Sequence, residues 1–349
     1  MYRVKNRSIP LSASLLEAIK KMDSLSVKML FVFNDELFMG LLTIGDIQRA
    51  IIKNVPLSEK ISEILDKNKV YASPYHTKEQ ICDKMHRMRA ECMPVVDDEG
   101  NLVNVYFWSD IFGSKNIGRD LIDLPVVIMA GGKGTRLKPL TYVIPKPLIP
   151  IGKKTILEEI MDQFEGIGCK NFYMSVNYKY DMIEYYLSQL DKKYDISFFR
   201  EEKPLGTIGS VSLLKDKITT PFFVSNCDIL IDQDYRDVYE YHKNNNNDIT
   251  IVTAVKSHSI PYGVISTGEN GIMEGLSEKP ENTYMINTGV YILNPELIAE
   301  IPENEFFHIT HLMDKVKARG GRIGCFPVSE KSWTDIGEWP EYLKLINVN

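Results

Sequence analysis

Long apolar runs, an excess of basic charge and paired cysteines are all missing from this 349-residue chain, and each absence closes off a class of function. No apolar stretch approaches the ~20 residues that a membrane span needs, so no membrane partner is expected. Lys and Arg number 41 against 47 Asp and Glu, a net charge of −6. A field of that sign does not attract a nucleic-acid backbone, and no nucleic-acid partner is expected. Any polyanion must then be held by a few local cations. The five cysteines, Cys82, Cys92, Cys169, Cys227 and Cys325, are odd in number, scattered and without CxxC spacing. That argues against a disulfide framework and against a structural zinc site. The stretch Met1-Tyr2-Arg3-Val4-Lys5-Asn6 has no apolar core of a signal peptide, which, with the reduced thiols, sets the expectation of a cytoplasmic protein.

What the chain does contain is a repeat. At an offset of 64 residues, Met29-Leu30-Phe31-Val32 falls on Met93-Pro94-Val95-Val96, Phe38 on Leu102, and Asp46-Ile47 on Asp110-Ile111. Each copy reads as an amphipathic helix (Leu15 to Met22; Lys78 to Met88), an apolar strand, a tight turn, a second strand and another helix. Thr77 and Gln80 have the spacing of a capping box. Copies of about 50 residues bury little apolar surface alone, so the two are expected to pack together.

This front segment resembles a tandem pair of cystathionine-β-synthase-type (CBS) domains over residues 1–115. The likeness rests on Gly40-Leu41-Leu42-Thr43-Ile44-Gly45-Asp46, a Gly-x-x-Thr-x-x-Asp stretch. In that family the hydroxyl and carboxylate hold a nucleotide's ribose, so the resemblance makes Thr43 and Asp46 a candidate site for an adenine or guanine nucleotide. The second copy has Asn104 and Phe107 where Gly and Thr would stand, and keeps Asp110. Thr43 and Asp46 could equally start and cap a helix. CBS pairs often stack into dimers, so the resemblance also implies a homo-oligomer.

Residues 116–124 read as a linker, and at Pro125 the texture changes. Short apolar strands alternate with helices: Val126–Met129, Thr155–Ile167, Asn171–Val176, Met182–Leu190, Ile196–Phe199 and Phe222–Ser225. That alternation signals a mainly parallel sheet covered on both faces. Sheets of this kind bind ligands at the carboxyl ends of their strands, so functional residues are expected just after apolar runs. The clearest candidate is Val127-Ile128-Met129-Ala130-Gly131-Gly132-Lys133-Gly134-Thr135-Arg136-Leu137. Three glycines in four positions let backbone N–H groups crowd around phosphate oxygens, and Arg136 can add a forked guanidinium. The glycines do not fit Gly-x-Gly-x-x-Gly, and Gly152-Lys153-Lys154 is no P-loop, because Pro147 stands where its first glycine belongs and Lys154 where Ser or Thr belongs.

With Pro145-Lys146-Pro147 about ten residues on, this stretch resembles the signature of sugar-phosphate nucleotidylyltransferases. The likeness runs over residues 125–349 through Pro204-Leu205-Gly206-Thr207-Ile208-Gly209, Asn226-Cys227-Asp228, Tyr262-Gly263-Val264, Ser277-Glu278-Lys279-Pro280, Asn287-Thr288-Gly289 and Trp333-Thr334-Asp335-Ile336-Gly337. Ile208 departs from the family's usual Ala. The resemblance implies an α/β fold, a Rossmann-like domain with a mixed, mainly parallel sheet, behind an α+β tandem CBS module. Its implied substrates are a nucleoside triphosphate and a sugar-1-phosphate, and its implied cofactor is Mg2+. By the same likeness Ala130, Gly131, Gly132, Gly134, Thr135, Glu202, Gly206 and Thr207 hold the nucleotide. Gly263, Glu278, Lys279, Asn287 and Thr288 hold the sugar phosphate. Arg136 and Lys146 are the catalytic cations, and Asp228 and Asp335 hold the metal. Each of these residues also has a plain reading taken singly: Asp228 could cap a following segment, Lys146 could be a solvated loop lysine, and Asp335-Ile336-Gly337 could be an ordinary turn.

Glu201-Glu202 ahead of Pro204-Leu205-Gly206-Thr207 is more similar to guanylyltransferases than to thymidylyl- or uridylyltransferases, which implies GTP. A CBS pair ahead of a short transferase domain resembles the glucosamine-1-phosphate guanylyltransferases of cell-surface glycan biosynthesis, so glucosamine-1-phosphate is the expected sugar. Mannose-1-phosphate and heptose-1-phosphate enzymes share the motifs. A silent ligand-sensing subunit would be expected to lack some of Arg136, Lys146, Asp228, Lys279 and Asp335, and all five are present. His308-Ile309-Thr310-His311 reads as a helix start with Thr310 at the N-cap, since two His at i, i+3 lack the HExxH pattern.

Overall fold

The computed structural model describes residues 2–66, 68–88, 90–112, 120–190 and 193–346, and the chain divides into two compact units, 1–120 and 121–349. Residues 116–119 of the expected linker lie outside the described residues.

Unit 1 runs α1 (Tyr2–Asn6), β1 (Ser8–Pro10), α2 (Leu15–Leu25), β2 (Met29–Asn34), β3 (Leu37–Thr43), α3 (Ile44–Ile52), α4 (Lys78–Met88), β4 (Cys92–Val96), β5 (Leu102–Phe107) and α5 (Trp108–Phe112). The 64-residue offset is visible here: α2, β2 and β3 recur as α4, β4 and β5. α2 starts at Ser14, whose hydroxyl accepts from the Glu17 amide while the Glu17 carboxylate accepts from the Ser14 amide. Its buried positions, Leu15, Ala18, Ile19 and Met22, follow the spacing of one helix face. Thr77 and Gln80 form the reciprocal cap expected of them. Phe31, Phe38 and Leu41 of the first copy share one apolar cluster with Cys92, Val105 and Phe107 of the second, so each copy completes the other's core.

Unit 2 runs β6 (Val126–Met129), β7 (Pro150–Ile151), β8 (Lys154–Thr155), α6 (Ile156–Glu165), β9 (Asn171–Val176), α7 (Tyr180–Ser188), β10 (Asp195–Arg200), β11 (Phe222–Asn226), β12 (Ile229–Ile231), α8 (Tyr235–Asn244), β13 (Ile249–Ser259), β14 (Val264–Thr267), β15 (Met273–Ser277), β16 (Glu281–Leu293), α9 (Ile309–Ala318), β17 (Ile323–Ser329), β18 (Trp333–Asp335) and α10 (Trp339–Ile346). Seven strands form the main sheet in the order β10-β9-β6-β11-β16-β13-β17, in which β16 alone runs antiparallel to its neighbours.

Alternation along β6 feeds both faces. Val126 and Ile128 join one core with Ile160, Phe164 and Tyr235, while Val127 joins another with Ile309, Leu312 and Val316 of α9. Phe164 stacks on Tyr235 with ring centroids 4.5 Å apart. The chain leaves β6 for β9 and β10 on one side and returns to place β11 on the other. The strand order therefore reverses between β6 and β11, and a crevice at their carboxyl ends is where such sheets hold ligands. Beyond the sheet, β13 and β16 continue as a long antiparallel arm that carries the β14–β15 hairpin. Among the described residues no helix is long and apolar enough to cross a membrane.

Candidate active site

The segment after β6 leaves the sheet at Ala130, which is buried and whose N–H donates to the Ser175 carbonyl at 2.8 Å. At Gly134 the backbone turns left-handed (φ +60°), and a Cβ there would stand 2.8 Å from Thr141 Cγ2 and 3.1 Å from Lys146 Cβ. Only glycine lets the loop lie against Lys146 in this way. Thr141 Oγ1 closes the contact by donating to the Gly134 carbonyl at 2.9 Å. Gly132 and Thr135 are exposed, and a Cβ on Gly132 would meet nothing within 4 Å.

Lys146 opens a short turn between two prolines and is buried, with its ammonium on Asp228 Oδ2. Asp228 follows β11, across the crevice from the loop after β6. Its own carbonyl accepts from the Ile336 N–H at 2.9 Å, and Ile229 faces Asp335 in the β12–β18 ladder. Asp228 immediately precedes β12 and Asp335 closes its partner β18, so the two residues are neighbours at that end of the ladder. Asp335 Oδ1 accepts from the Gly337 N–H at 2.7 Å. Gly337 marks the meeting point: a Cβ there would lie 2.6 Å from Asp335 Oδ1, 2.8 Å from an Arg136 guanidinium nitrogen and 3.0 Å from the Lys146 ammonium. Residues 136, 146, 228 and 335 thus converge from four separate segments. Arg136 also donates to Glu338 Oε1 at 3.0 Å, and the Trp339 indole N–H donates to the Lys138 carbonyl at 2.9 Å, tying the chain after β18 to the glycine loop.

A second group lies under the same loop. Glu201 is buried, and its carboxylate accepts from Ser175 Oγ at 2.6 Å and from the Leu205 N–H at 3.2 Å. A Cβ on Gly131 would meet Glu201 Oε1 at 3.3 Å, so this carboxylate backs the loop. Glu202, the residue expected to hold the nucleotide, is exposed. Gly206 is left-handed (φ +84°) and packs so closely on the chain that a Cβ would fall 2.5 Å from the Phe307 carbonyl. The Thr207 hydroxyl accepts from the Ile309 N–H at 2.9 Å and so caps α9. Thr310 lies inside that helix, whose cap position is His308, with the His308 amide donating to His311 Nδ1 at 3.3 Å. The helix start expected at this motif is present, but its cap is His308, two residues before Thr310, and Thr207 supplies the capping hydroxyl from across the fold.

The residues matched to sugar binding divide. Gly263, Glu278 and Lys279 are exposed on the β14–β15 hairpin, with Glu278 Oε2 3.0 Å from where a Cβ of Gly263 would be. Asn287 is exposed, with Oδ1 accepting from the Gly289 N–H at 3.0 Å. Thr288 is buried and its hydroxyl donates to the Val252 carbonyl at 2.7 Å, a bond that belongs to the sheet. Cys227, beside Asp228, is buried, and burial pushes its thiol up to about 12, which keeps it an inert neighbour.

In unit 1 the Asp46 carboxylate accepts from Thr43 N at 2.8 Å, Thr43 Oγ1 at 2.7 Å, Lys69 Nζ and Arg49. Thr43 caps α3 in the process. In the second copy Asp110 holds Arg3 through both oxygens, at 2.8 and 3.0 Å, and Arg3 and Arg7 lie over the Phe107 ring.

Residues 125–348 match the nucleotidyl transferase family, and residues 5–53 and 61–114 match the CBS domain. A mannose-1-phosphate guanyltransferase of Yarrowia lipolytica is 34% identical over 226 residues, covering 62% of this chain and 61% of the relative. The chain thus spans about three-fifths of that relative's length. The crystal structure of HddC from Yersinia pseudotuberculosis superposes with a TM-score of 0.51 at 29% identity, covering 64% of this chain and 99% of HddC. The same protein complexed with GMP-PN gives 0.51 at 28% identity, with the same coverage of 64% and 99%. From the glycine loop after β6 to the aspartate of β18, the chain belongs to the nucleotidyl transferase family.

Proposed function

We propose that this chain joins GTP to a sugar-1-phosphate, releasing pyrophosphate and a GDP-sugar. The observation that carries the reading is the convergence of Arg136, Lys146 and Asp335 around Gly337, with Lys146 on Asp228. In such a reaction a sugar-phosphate oxygen bonds to the α-phosphorus while the bridging oxygen to the β-phosphorus leaves with pyrophosphate. Two polyanions must come into line, so positioning and charge neutralisation do the catalytic work. Amides of Gly131, Gly132 and Gly134 cradle phosphate oxygens, with Glu201 backing the loop. Arg136 holds the outer phosphates, and Lys146 neutralises oxygens at the reacting centre. Glu278 and Lys279, on the hairpin, take the sugar hydroxyls and the sugar's phosphate.

Asp228 and Asp335 fit Mg2+ as a donor set: two carboxylates of neighbouring residues, to be completed by phosphate oxygens and water. Among the described residues no cluster of three or more His, Cys, Asp or Glu that could hold a metal is found. When bound, Mg2+ would act as Lewis acid and template for the phosphates.

Two sugars have separate support. The order of modules favours glucosamine-1-phosphate, and the 34% identity to a mannose-1-phosphate guanyltransferase favours mannose-1-phosphate. The test is pyrophosphate release from a matrix of five triphosphates against glucosamine-, mannose-, heptose- and glucose-1-phosphate. Turnover is expected with GTP and one of the first two sugars. Silence across the whole matrix would replace this reading with that of a ligand-sensing subunit. The CBS pair serves as a regulatory or dimer-forming module. A nucleotide at Thr43 and Asp46 would have to exchange its ribose hydroxyls for the donors that Asp46 already has.

A further inference from the structure

Arg136 has to present its guanidinium from a segment poorly able to fix it. It sits in a single turn of 3-10 helix, Thr135–Leu137. The turn is closed by Leu137 N–H on the Gly134 carbonyl at 3.1 Å and Lys138 N–H on the Thr135 carbonyl at 3.4 Å. Such turns are short and their hydrogen bonds poorly aligned. The Arg136 side chain is exposed, so packing does not hold it either. The turn is pinned from outside instead. Leu137 is buried at its centre, and Thr141 Oγ1 holds its front through the Gly134 carbonyl at 2.9 Å. At its back the Trp339 indole N–H donates to the Lys138 carbonyl at 2.9 Å. Lys138 is thereby bound twice, by its amide to the turn and by its carbonyl to the indole.

Trp339 is suited to be that anchor because its own packing fixes it. It lies against the apolar core that includes Leu137 and Ile336, and the Tyr342 ring meets it edge-on with centroids 6.0 Å apart. The Tyr342 hydroxyl donates to the Pro150 carbonyl at 3.2 Å, which fastens α10 to β7. The two segments also meet residue by residue. A Cβ on Gly337 would lie 2.8 Å from one terminal nitrogen of Arg136, Glu338 accepts from the other, and Trp339 takes Lys138. We propose that Trp339 is a positioning residue: its indole N–H sets the turn that carries Arg136, and so the direction from which the guanidinium meets a triphosphate. This role rests on the reading of Arg136 as the grip on the outer phosphates, and it gives Trp339 no contact with either substrate. A residue that acts through another loses its effect once that other is removed.

The test is a double-mutant cycle on the full chain, with Trp339→Phe, Arg136→Ala and the two combined. It is read by Mg-GTP affinity in titration calorimetry and by pyrophosphate release. Trp339→Phe keeps an aromatic ring and removes the donor. One hydrogen bond is worth about threefold to tenfold in an equilibrium constant, so GTP affinity should fall by about that factor. The KM for GTP should rise with it, and kcat should stay within about twofold. In the Arg136→Ala background the same change should add nothing. Equal losses in both backgrounds overturn the proposal, and so does wild-type affinity in Trp339→Phe. Tyr342→Phe removes another hydrogen bond of α10 and should leave GTP affinity unchanged. A loss as large as that of Trp339→Phe would reduce both residues to docking α10, and overturns the proposal too. The expected cycle in binding without any turnover refutes the enzymatic reading alone, whereas turnover with an additive cycle refutes the positioning alone. A wild type that does not bind GTP refutes both. Should Trp339→Phe fail to fold, the indole N–H resonance of Trp339 in the wild type is followed instead. Saturating Mg-GTP is expected to move it in the wild type and not in Arg136→Ala, and a resonance that stays in place in the wild type overturns the proposal.

Discussion

Asp46 in unit 1 and Asp228 in unit 2 are both buried aspartates held by a lysine, Lys69 and Lys146, and their surroundings are opposite. Around Asp46 every donor closes inward. Thr43 gives an amide and a hydroxyl, Arg49 a guanidinium, and Lys69 spends a second proton on the Leu41 carbonyl at 2.9 Å. The result ties the start of α3 to the end of β3 and to residue 69. Asp228 has Lys146 on Oδ2, and among the described residues no donor closes on Oδ1. Its neighbours, Asp335 and Arg136, gather at the crevice. A satisfied carboxylate is a strut, whereas one with an open oxygen among other charges at a crevice is poised for a ligand.

The comparison is broken most directly by neutralising each aspartate in turn. Asp228→Asn should lower turnover roughly a hundredfold to a thousandfold, the usual effect of removing one preorganised group. Pyrophosphate release measures it, and unchanged circular dichroism shows that the fold survives. Turnover near that of the wild type would remove Asp228 from the centre. Asp46→Asn should act on stability instead, at about 2–3 kcal/mol in urea denaturation, because it leaves Lys69 and Arg49 without their shared anion. Its turnover should stay within about twofold of the wild type. If Asp46→Asn stops catalysis while the fold holds, the strut reading fails.

Acid sharpens the same contrast. Burial raises the Asp46 carboxyl, but the bonds and charge of Lys69 and the bonds from Thr43 outweigh it, and the net shift is downward. Asp162 in α6 behaves alike: burial raises it, and Lys154, Lys193 and Tyr194 bring it down to about 2. Both folded values lie below the unfolded one, near 4. Their stabilisation is therefore complete above about pH 4 and is lost as pH falls through the folded values. His242 runs the other way, since burial holds its imidazole below the usual value despite its bond to Asn294. Its neutral form is the folded one, so stability starts to fall as pH drops through the unfolded value near 6.5. Melting temperature against pH should show this shallow step first, removed by His242→Gln, and the aspartate step below pH 4, reduced by Asp162→Asn.

Some of this was open to reading in the sequence, for identifiable reasons. The 64-residue repeat and the alternation after Pro125 are periodic signals, and periodicity follows directly from which faces are buried. The glycine loop was legible because Gly134 meets a steric demand that no other residue meets. What stayed hidden depends on partners remote in sequence. Of two adjacent acids, Glu201 is the buried one because β10 ends at Arg200 and the next residue turns under the loop. The hydroxyls of Thr207 and Thr288 fit a ligand by motif, yet α9 and β13 use them. Glu338 and Trp339 had no spacing signal, since their partners, Arg136 and Lys138, lie some 200 residues away.

Glu338 supplies a third kind of charge pair, and the smallest expected effect. Its contact with Arg136 is exposed, with about half of each side chain in solvent, so the pair is weak and sensitive to salt. It nevertheless sets a carboxylate on the guanidinium proposed to grip the triphosphate. Glu338 occupies one side of the Arg136 fork, so a triphosphate on Arg136 would compete with it for that charge. Glu338→Gln removes that competitor while keeping its length, and should lower the KM for GTP by at most about fivefold with kcat nearly unchanged. The gain should shrink as ionic strength rises, because screening weakens the competing pair in the wild type. A KM that rises instead would mean that Glu338 orients Arg136 for the phosphates, and would move it from competitor to positioning residue.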